Sequence, residues 1–150
     1  DPRGNNMVMT VKQLLDQRDK HQLYHVTPQA TVYEALCLMA EHNIGAVLVM
    51  EEGKLQGIFS ERDYARRVVL QGRTSAGTRV GEIMTRRVLF VSPDRTINEC
   101  MALMADKRIR HLPVIDDEAV VGMVSIGDVV SATIAEQNFL IDQLSHYIHS

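Results

Sequence analysis

The chain repeats itself. Val26-Thr27-Pro28-Gln29-Ala30-Thr31-Val32-Tyr33-Glu34 returns as Val91-Ser92-Pro93-Asp94-Arg95-Thr96-Ile97-Asn98-Glu99, 65 residues later and without a gap as far as Val69 and Ile134. The register aligns Leu38-Met39-Ala40 with Leu103-Met104-Ala105, Gly57 with Gly122, and Ser60 and Asp63 with Ser125 and Asp128. Upstream, Val11-Lys12-Gln13-Leu14-Leu15 is echoed by Val80-Gly81-Glu82-Ile83-Met84, although the first copy carries four extra residues before its Val-Thr-Pro. A repeat of this kind restricts the fold to two copies of one supersecondary unit. Each copy is near 60 residues, a marginal size for an independent core. The two are therefore expected to pack across a pseudo-twofold, leaving clefts between halves in which ligands commonly bind.

Each copy reads β-α-β-β-α, twice in order, which makes the fold class α/β (α+β). A short strand leads to Pro28 or Pro93. Thr31-x-x-Glu34 and Thr96-x-x-Glu99 match a capping box. The helix that follows is expected to bury Leu36, Met39 and Ala40, or Met101, Met104 and Ala105, with Cys37 and Cys100 also on apolar faces. Strands Ala46 to Met50 and Leu55 to Phe59, or Leu112 to Ile115 and Val120 to Val124, form hairpins around acidic turns. Ser60-x-x-Asp63 and Ser125-x-x-Asp128 open a second helix, and the last one runs from Asp128 to about Ile148. Ile134, Ile141, Leu144 and Ile148 lie there at helical spacing, suited either to the chain's own core or to a dimer. The division expected is a flexible N-terminus or expression remnant over 1–10, repeats over 11–75 and 76–136, and a helical extension over 137–150.

The repeat resembles a tandem pair of CBS domains, a Bateman module of the stand-alone bacterial or archaeal signal-transduction type. Val91-Ser92-Pro93-Asp94-x-Thr96, Arg110-His111-Leu112-Pro113-Val114 and Gly122-Met123-Val124-Ser125-Ile126-Gly127-Asp128 carry the resemblance, together with the lead-in Val80-Gly81-Glu82-Ile83-Met84-Thr85. The first copy matches through Pro28, Thr31, Glu34, Ala35 and Gly57-Ile58-Phe59-Ser60-Glu61-Arg62-Asp63. The resemblance implies regulatory binding of adenosine-containing ligands (AMP, ADP, ATP, in some members NAD or S-adenosylmethionine), an absence of catalytic cofactors, and disc-like homodimers. It also implies that Ser/Thr-x-x-Asp holds ribose and phosphate.

Elementary chemistry supports that role. An ionised Asp63 or Asp128 accepts hydrogen bonds from both ribose hydroxyls, although helix capping explains the same residues. Gly127 permits close backbone approach, and Arg62 or Arg66 suits a phosphate. Ile44 and Ala46 correspond to Ile109 and His111 at the strand entries. Ile44 and Ile109 are expected to border adenine, with Arg110 or His111 reaching its edge or a phosphate. Ile126 follows Ser125. Pro113 is family-like, whereas Leu48 stands in its place in the first copy. Thr85 and His25 complete the candidates.

Other functions find less support. The formal charge is −3, with 16 Lys and Arg against 19 Asp and Glu, and a nucleic-acid binder is usually basic. Two cysteines make no disulfide framework and suit a reducing cytoplasm. No apolar run approaches the length of a membrane span, and no signal peptide is expected. Neither a nucleophile elbow nor a phosphate-binding loop is present. His21 with His25, and His146 with His149, lack an evident third metal ligand. A structural module that docks a partner protein without nucleotide is the main alternative, and a nucleotide hydrolase is a third.

Overall fold

Hydrophobic patterning and caps define the elements of the computed structural model, which describes residues 8–17 and 23–149. In chain order they are α1 (Val11–Gln17), β1 (His25–Val26), α2 (Val32–His42), β2 (Ala46–Glu51), β3 (Lys54–Ser60) and α3 (Glu61–Asp63). A π-helical stretch (Tyr64–Val69) continues α3, followed by α4 (Val80–Ile83), α5 (Ile97–Lys107), β4 (His111–Asp116), β5 (Ala119–Ser125) and α6 (Ile126–His149). The architecture is mixed α/β, with two small sheets and a long C-terminal helix.

Contacts divide the chain into two compact units, each drawing its lead-in helix from beside the other repeat in sequence. One unit runs from residue 23 to Leu89, so α4 packs with the first repeat. The other joins α1 to everything from Phe90 onward. The lead-in helices have therefore been exchanged, and equivalent hydrogen bonds hold both. Val80 N donates to Ala30 O (2.8 Å) and Gly81 N to Pro28 O (2.9 Å). Val11 N donates to Arg95 O (2.7 Å) and Lys12 N to Pro93 O (2.8 Å), at the positions 65 residues on. These amides belong to first helical turns, which have no partners within their own helices.

In the first-repeat unit, β1 pairs in parallel with β2, and β2 is antiparallel to β3. The register slips at Val49/Met50, so that Val49 faces Gly57 while Met50 faces Leu55. Thr31 Oγ1 accepts from Glu34 N (3.1 Å) to start α2. The core contains Val32, Ala35, Met39, Val47, Val49, Phe59, Val68, Val80, Ile83 and Met84. In the other unit, β4 and β5 form a two-stranded antiparallel sheet with the same slip at Val114/Ile115. Val91 bridges to Val114 in parallel, in the place that β1 occupies in the first repeat. Thr96 and Glu99 close a reciprocal capping box, and α5 packs on α6.

The helix faces differ from expectation by about one position. Val32, Ala35 and Met39 are buried on α2 while Leu36 is half-buried and Ala40 exposed; Ile97, Cys100 and Met104 are buried on α5 while Met101 is half-buried and Ala105 exposed. The inward face starts at the residue directly after each threonine cap, and the 3.6-residue period carries it on from there. Cys37 is consequently exposed, because the register matches Cys100 with the buried Ala35 rather than with Cys37. Burial pushes the Cys100 thiol above its usual range, which leaves it a small apolar core residue.

Candidate functional site

Each Ser-x-x-Asp element sits where a strand begins beside the end of its hairpin partner. α2 ends on Asn43 in the left-handed region (φ 53°), and Ile44 N returns to Met39 O (3.0 Å). α5 ends the same way on Arg108 (φ 54°), with Ile109 N returning to Met104 O (3.0 Å). These turns deliver Ile44 and Ile109 to the strand entries. Gly45 O then accepts from Glu61 N (3.0 Å), and Arg110 O accepts from Ile126 N (2.8 Å). Across the hairpins Ala46 pairs with Ser60, and His111 pairs with Ser125.

Most of the candidates are thereby gathered into two local groups, one per unit. In the first-repeat unit these are Ile44, Ala46, Ser60, Asp63 and Thr85, with Arg62 and Arg66 exposed on the following turns. In the other they are Ile109, Arg110, His111, Ser125, Ile126, Gly127 and Asp128. Thr85, which precedes the second copy in sequence, belongs with the first repeat, since its Oγ1 donates to Asp63 Oδ1 (3.0 Å). His25 is exposed on β1 opposite Leu48, two residues along β2 from Ala46. Pro113 is buried within β4, where its carbonyl accepts from Val91 N (3.0 Å), so it also serves the sheet.

The two carboxylates are held by reciprocal capping. Ser60 N and Ser60 Oγ both donate to Asp63 Oδ2 (3.0 Å each), while Asp63 N donates to Ser60 Oγ (3.2 Å). Ser125 N donates to Asp128 Oδ2 (2.7 Å), and Asp128 N to Ser125 Oγ (3.1 Å). Asp63 is buried, only 7% exposed, whereas Asp128 is half-buried. Among the described residues, the Arg66 and Arg110 guanidinium groups have no hydrogen-bond or ion-pair partner. A Cβ on Gly127 would meet only Ser125 Oγ at 3.6 Å, an ordinary contact, so packing does not require glycine there.

Reasoning from sequence passed over Arg67. Its Nη1 donates to Ile83 O and Met84 O (3.1 Å each), and its Nε lies 3.9 Å from Asp63 Oδ1. The signal was present in the repeat, where Ala132 holds the equivalent position and is buried. A cavity of about 420 Å³ beside α1 is lined by Val8, Met9, Gln13, Asp16, Gln17 and Glu136, and contains none of the candidates. Among the described residues no three His, Cys, Asp or Glu side chains gather as a metal site. His21 lies outside the described residues. No helix among them is long and apolar enough to cross a membrane.

The profile of the CBS domain matches residues 11–70 and 80–135. The chain belongs to the CBS-domain family. Its two repeats make a CBS-domain pair, a regulatory module, and no catalytic family is indicated. It is 46% identical over 127 residues to the mitochondrial CBS domain-containing protein CBSX3 of Arabidopsis thaliana, covering 81% of this chain and 62% of that protein. A solved structure of a protein with CBS domains from Burkholderia ambifaria MC40-6 is 50% identical, with a TM-score of 0.83 over 86% of this chain and 96% of the other. The CBS domain pair of protein MJ0100, solved in complex with 5′-methylthioadenosine and S-adenosyl-L-methionine, is 27% identical, with a TM-score of 0.74 over 86% of this chain and 98% of that one.

Proposed function

We propose that this CBS pair is a non-catalytic sensor of adenosine-containing nucleotides, with AMP the leading candidate and ADP, ATP or NAD served by the same contacts. The observation that carries the reading is the matched pair of capped carboxylates, Asp63 and Asp128, each fixed beside a strand entry that begins with isoleucine. A carboxylate held in this way accepts ribose hydroxyls without further ordering. The Arg66 and Arg110 guanidinium groups have no partners among the described residues and are therefore available to a phosphate, which arginine binds bidentately. Gly127, which packing does not require, leaves room for a ligand against the backbone. The adenosine compounds bound by the MJ0100 pair agree with this class of ligand.

Titration calorimetry with AMP, ATP and NAD at millimolar concentration tests the reading. Asp63→Asn and Asp128→Asn keep a cap acceptor but lose the charge. Each is expected to weaken binding at its own site by about tenfold or more, the worth of a hydrogen bond to a charged group. Absence of heat with every adenosine compound, or full affinity in the double variant, overturns it.

We further propose that the chain acts as a homodimer in a reducing, cytoplasm-like compartment. Val130, Ile134, Ile141 and Leu144 are all exposed on α6, and their four- and three-residue steps, with Gln137 between, make the seam that a second helix covers. Light scattering is expected to give twice the 16.9 kDa chain mass. A single-chain mass at high concentration would favour instead the docking of a different protein on this helix.

A further inference from the structure

We propose that Thr85, Asp63 and Arg67 form a latch tying the segment that joins the two repeats to the Asp63 site, and that a ligand's paired hydroxyls compete with Thr85 for that carboxylate. The inference rests on the reading of Asp63 as a ribose acceptor and adds what happens to the protein when the ribose arrives. An ionised carboxylate offers about four acceptor positions. Ser60 N and Ser60 Oγ occupy two on Oδ2, and Thr85 Oγ1 occupies one on Oδ1. A ribose brings two donors to a carboxylate with about one position left, so one existing bond gives way.

The three bonds are not equal. Both Ser60 donors belong to the box that starts the helix, and Ser60 Oγ also accepts from Asp63 N. Losing either opens the helix start. The Thr85 hydroxyl has no other hydrogen bond among the described residues, so it yields at the lowest cost. Its release matters because of where Thr85 sits. It directly follows Ile83 and Met84, whose carbonyls Arg67 Nη1 holds at 3.1 Å, and its backbone exchanges hydrogen bonds with Ile58 (2.8 and 3.0 Å). Arg67 is a positioning residue: it orders the two residues that aim Thr85 at Asp63. The second repeat has the buried Ala132 in place of Arg67 and so cannot reproduce the guanidinium clamp. Occupancy of the Asp63 site is thereby reported to the connecting segment in a way that the Asp128 site cannot match.

The test uses the full chain carrying Asp128→Asn, so that the tighter phase of AMP binding reads the Asp63 site. Thr85→Val keeps the shape and removes the competing hydroxyl. It is expected to tighten AMP binding about fivefold, the worth of one ordinary hydrogen bond. Without nucleotide, Arg67→Met is expected to speed amide hydrogen exchange across residues 83–88, and AMP is expected to do the same in the parent chain. Unchanged or weaker AMP affinity in Thr85→Val, with the parent binding normally, overturns the competition. Unchanged exchange in Arg67→Met overturns the clamp. If the parent itself gives no heat with AMP, ATP or NAD, the nucleotide reading fails first and the competition falls with it.

Discussion

A fragment spanning residues 22–89 is expected to fold, whereas one spanning 11–75, the length that the sequence repeat suggests, is expected not to. Circular dichroism melts of the two fragments check this, with a cooperative transition expected only for the first. The 11–75 fragment lacks Val80, Ile83 and Met84, which are 0%, 3% and 4% exposed in the first-repeat core. Burying such a side chain stabilises by about 1.5–3 kcal/mol. The three together contribute about 5 kcal/mol or more, against a total margin of about 5–15 kcal/mol for a whole domain. The fragment also loses the partners of Ala30 O, Pro28 O and the Ile58 backbone. It retains Val11, Leu14 and Leu15, whose place is in the other core. An 11–75 fragment that melts as cooperatively as 22–89 rules out exchanged lead-ins as the basis of each unit.

Gly57→Ala is expected to destabilise the full chain far more than Gly122→Ala, although the two glycines are equivalent in the repeat. A Cβ on Gly57 would lie 2.5 Å from Thr85 O and 3.0 Å from Met84 Sδ. Thr85 O is a backbone atom already accepting from Ile58 N, so relief requires the lead-in to move off the strand. Overpacking of this kind costs about 1–3 kcal/mol, and the upper end is expected here, a fall in melting temperature of roughly 5–10 °C. The atoms nearest a Cβ on Gly122 belong to the Leu15 side chain, Cδ1 and Cδ2 at 2.9 Å. Side-chain tips yield more readily than backbone, so the lower end of that range is expected, about 1 kcal/mol, and Leu15→Ala in the Gly122→Ala background is expected to show coupling in a double-mutant cycle. Thermal denaturation of the four variants reads both effects. Equal losses at Gly57 and Gly122 contradict the backbone clash.

Much of the candidate site was legible as chemistry. Thr31, Thr96, Ser60 and Ser125 cap their helices because a hydroxyl three residues before an acid offers a local partner to an orphan amide, a relation that sequence spacing alone defines. Cys37 and Ala40 were misplaced because a helical face is set by which residue first meets the sheet, and periodicity gives the spacing of a face but not its phase. Thr85 was recognised as a candidate but assigned upstream of the wrong repeat. Arg67 was not among the candidates. Its contacts with Ile83 O and Met84 O depend on α4 returning to the repeat that precedes it.

The sequence by itself determined the repeated β-α-β-β-α unit, its caps, its hairpins and the pair of Ser-x-x-Asp carboxylates, because each is a matter of short-range spacing and local hydrogen bonding. Only the tertiary structure decided which lead-in serves which core. Val11-Lys12-Gln13-Leu14-Leu15 and Val80-Gly81-Glu82-Ile83-Met84 have nearly the same apolar pattern and would suit either repeat. The exchange brings Thr85 to Asp63 and Leu15 to Gly122. Long-range pairing between such similar segments leaves no trace in local spacing, and it is there that the two repeats, alike in sequence, acquire different sites.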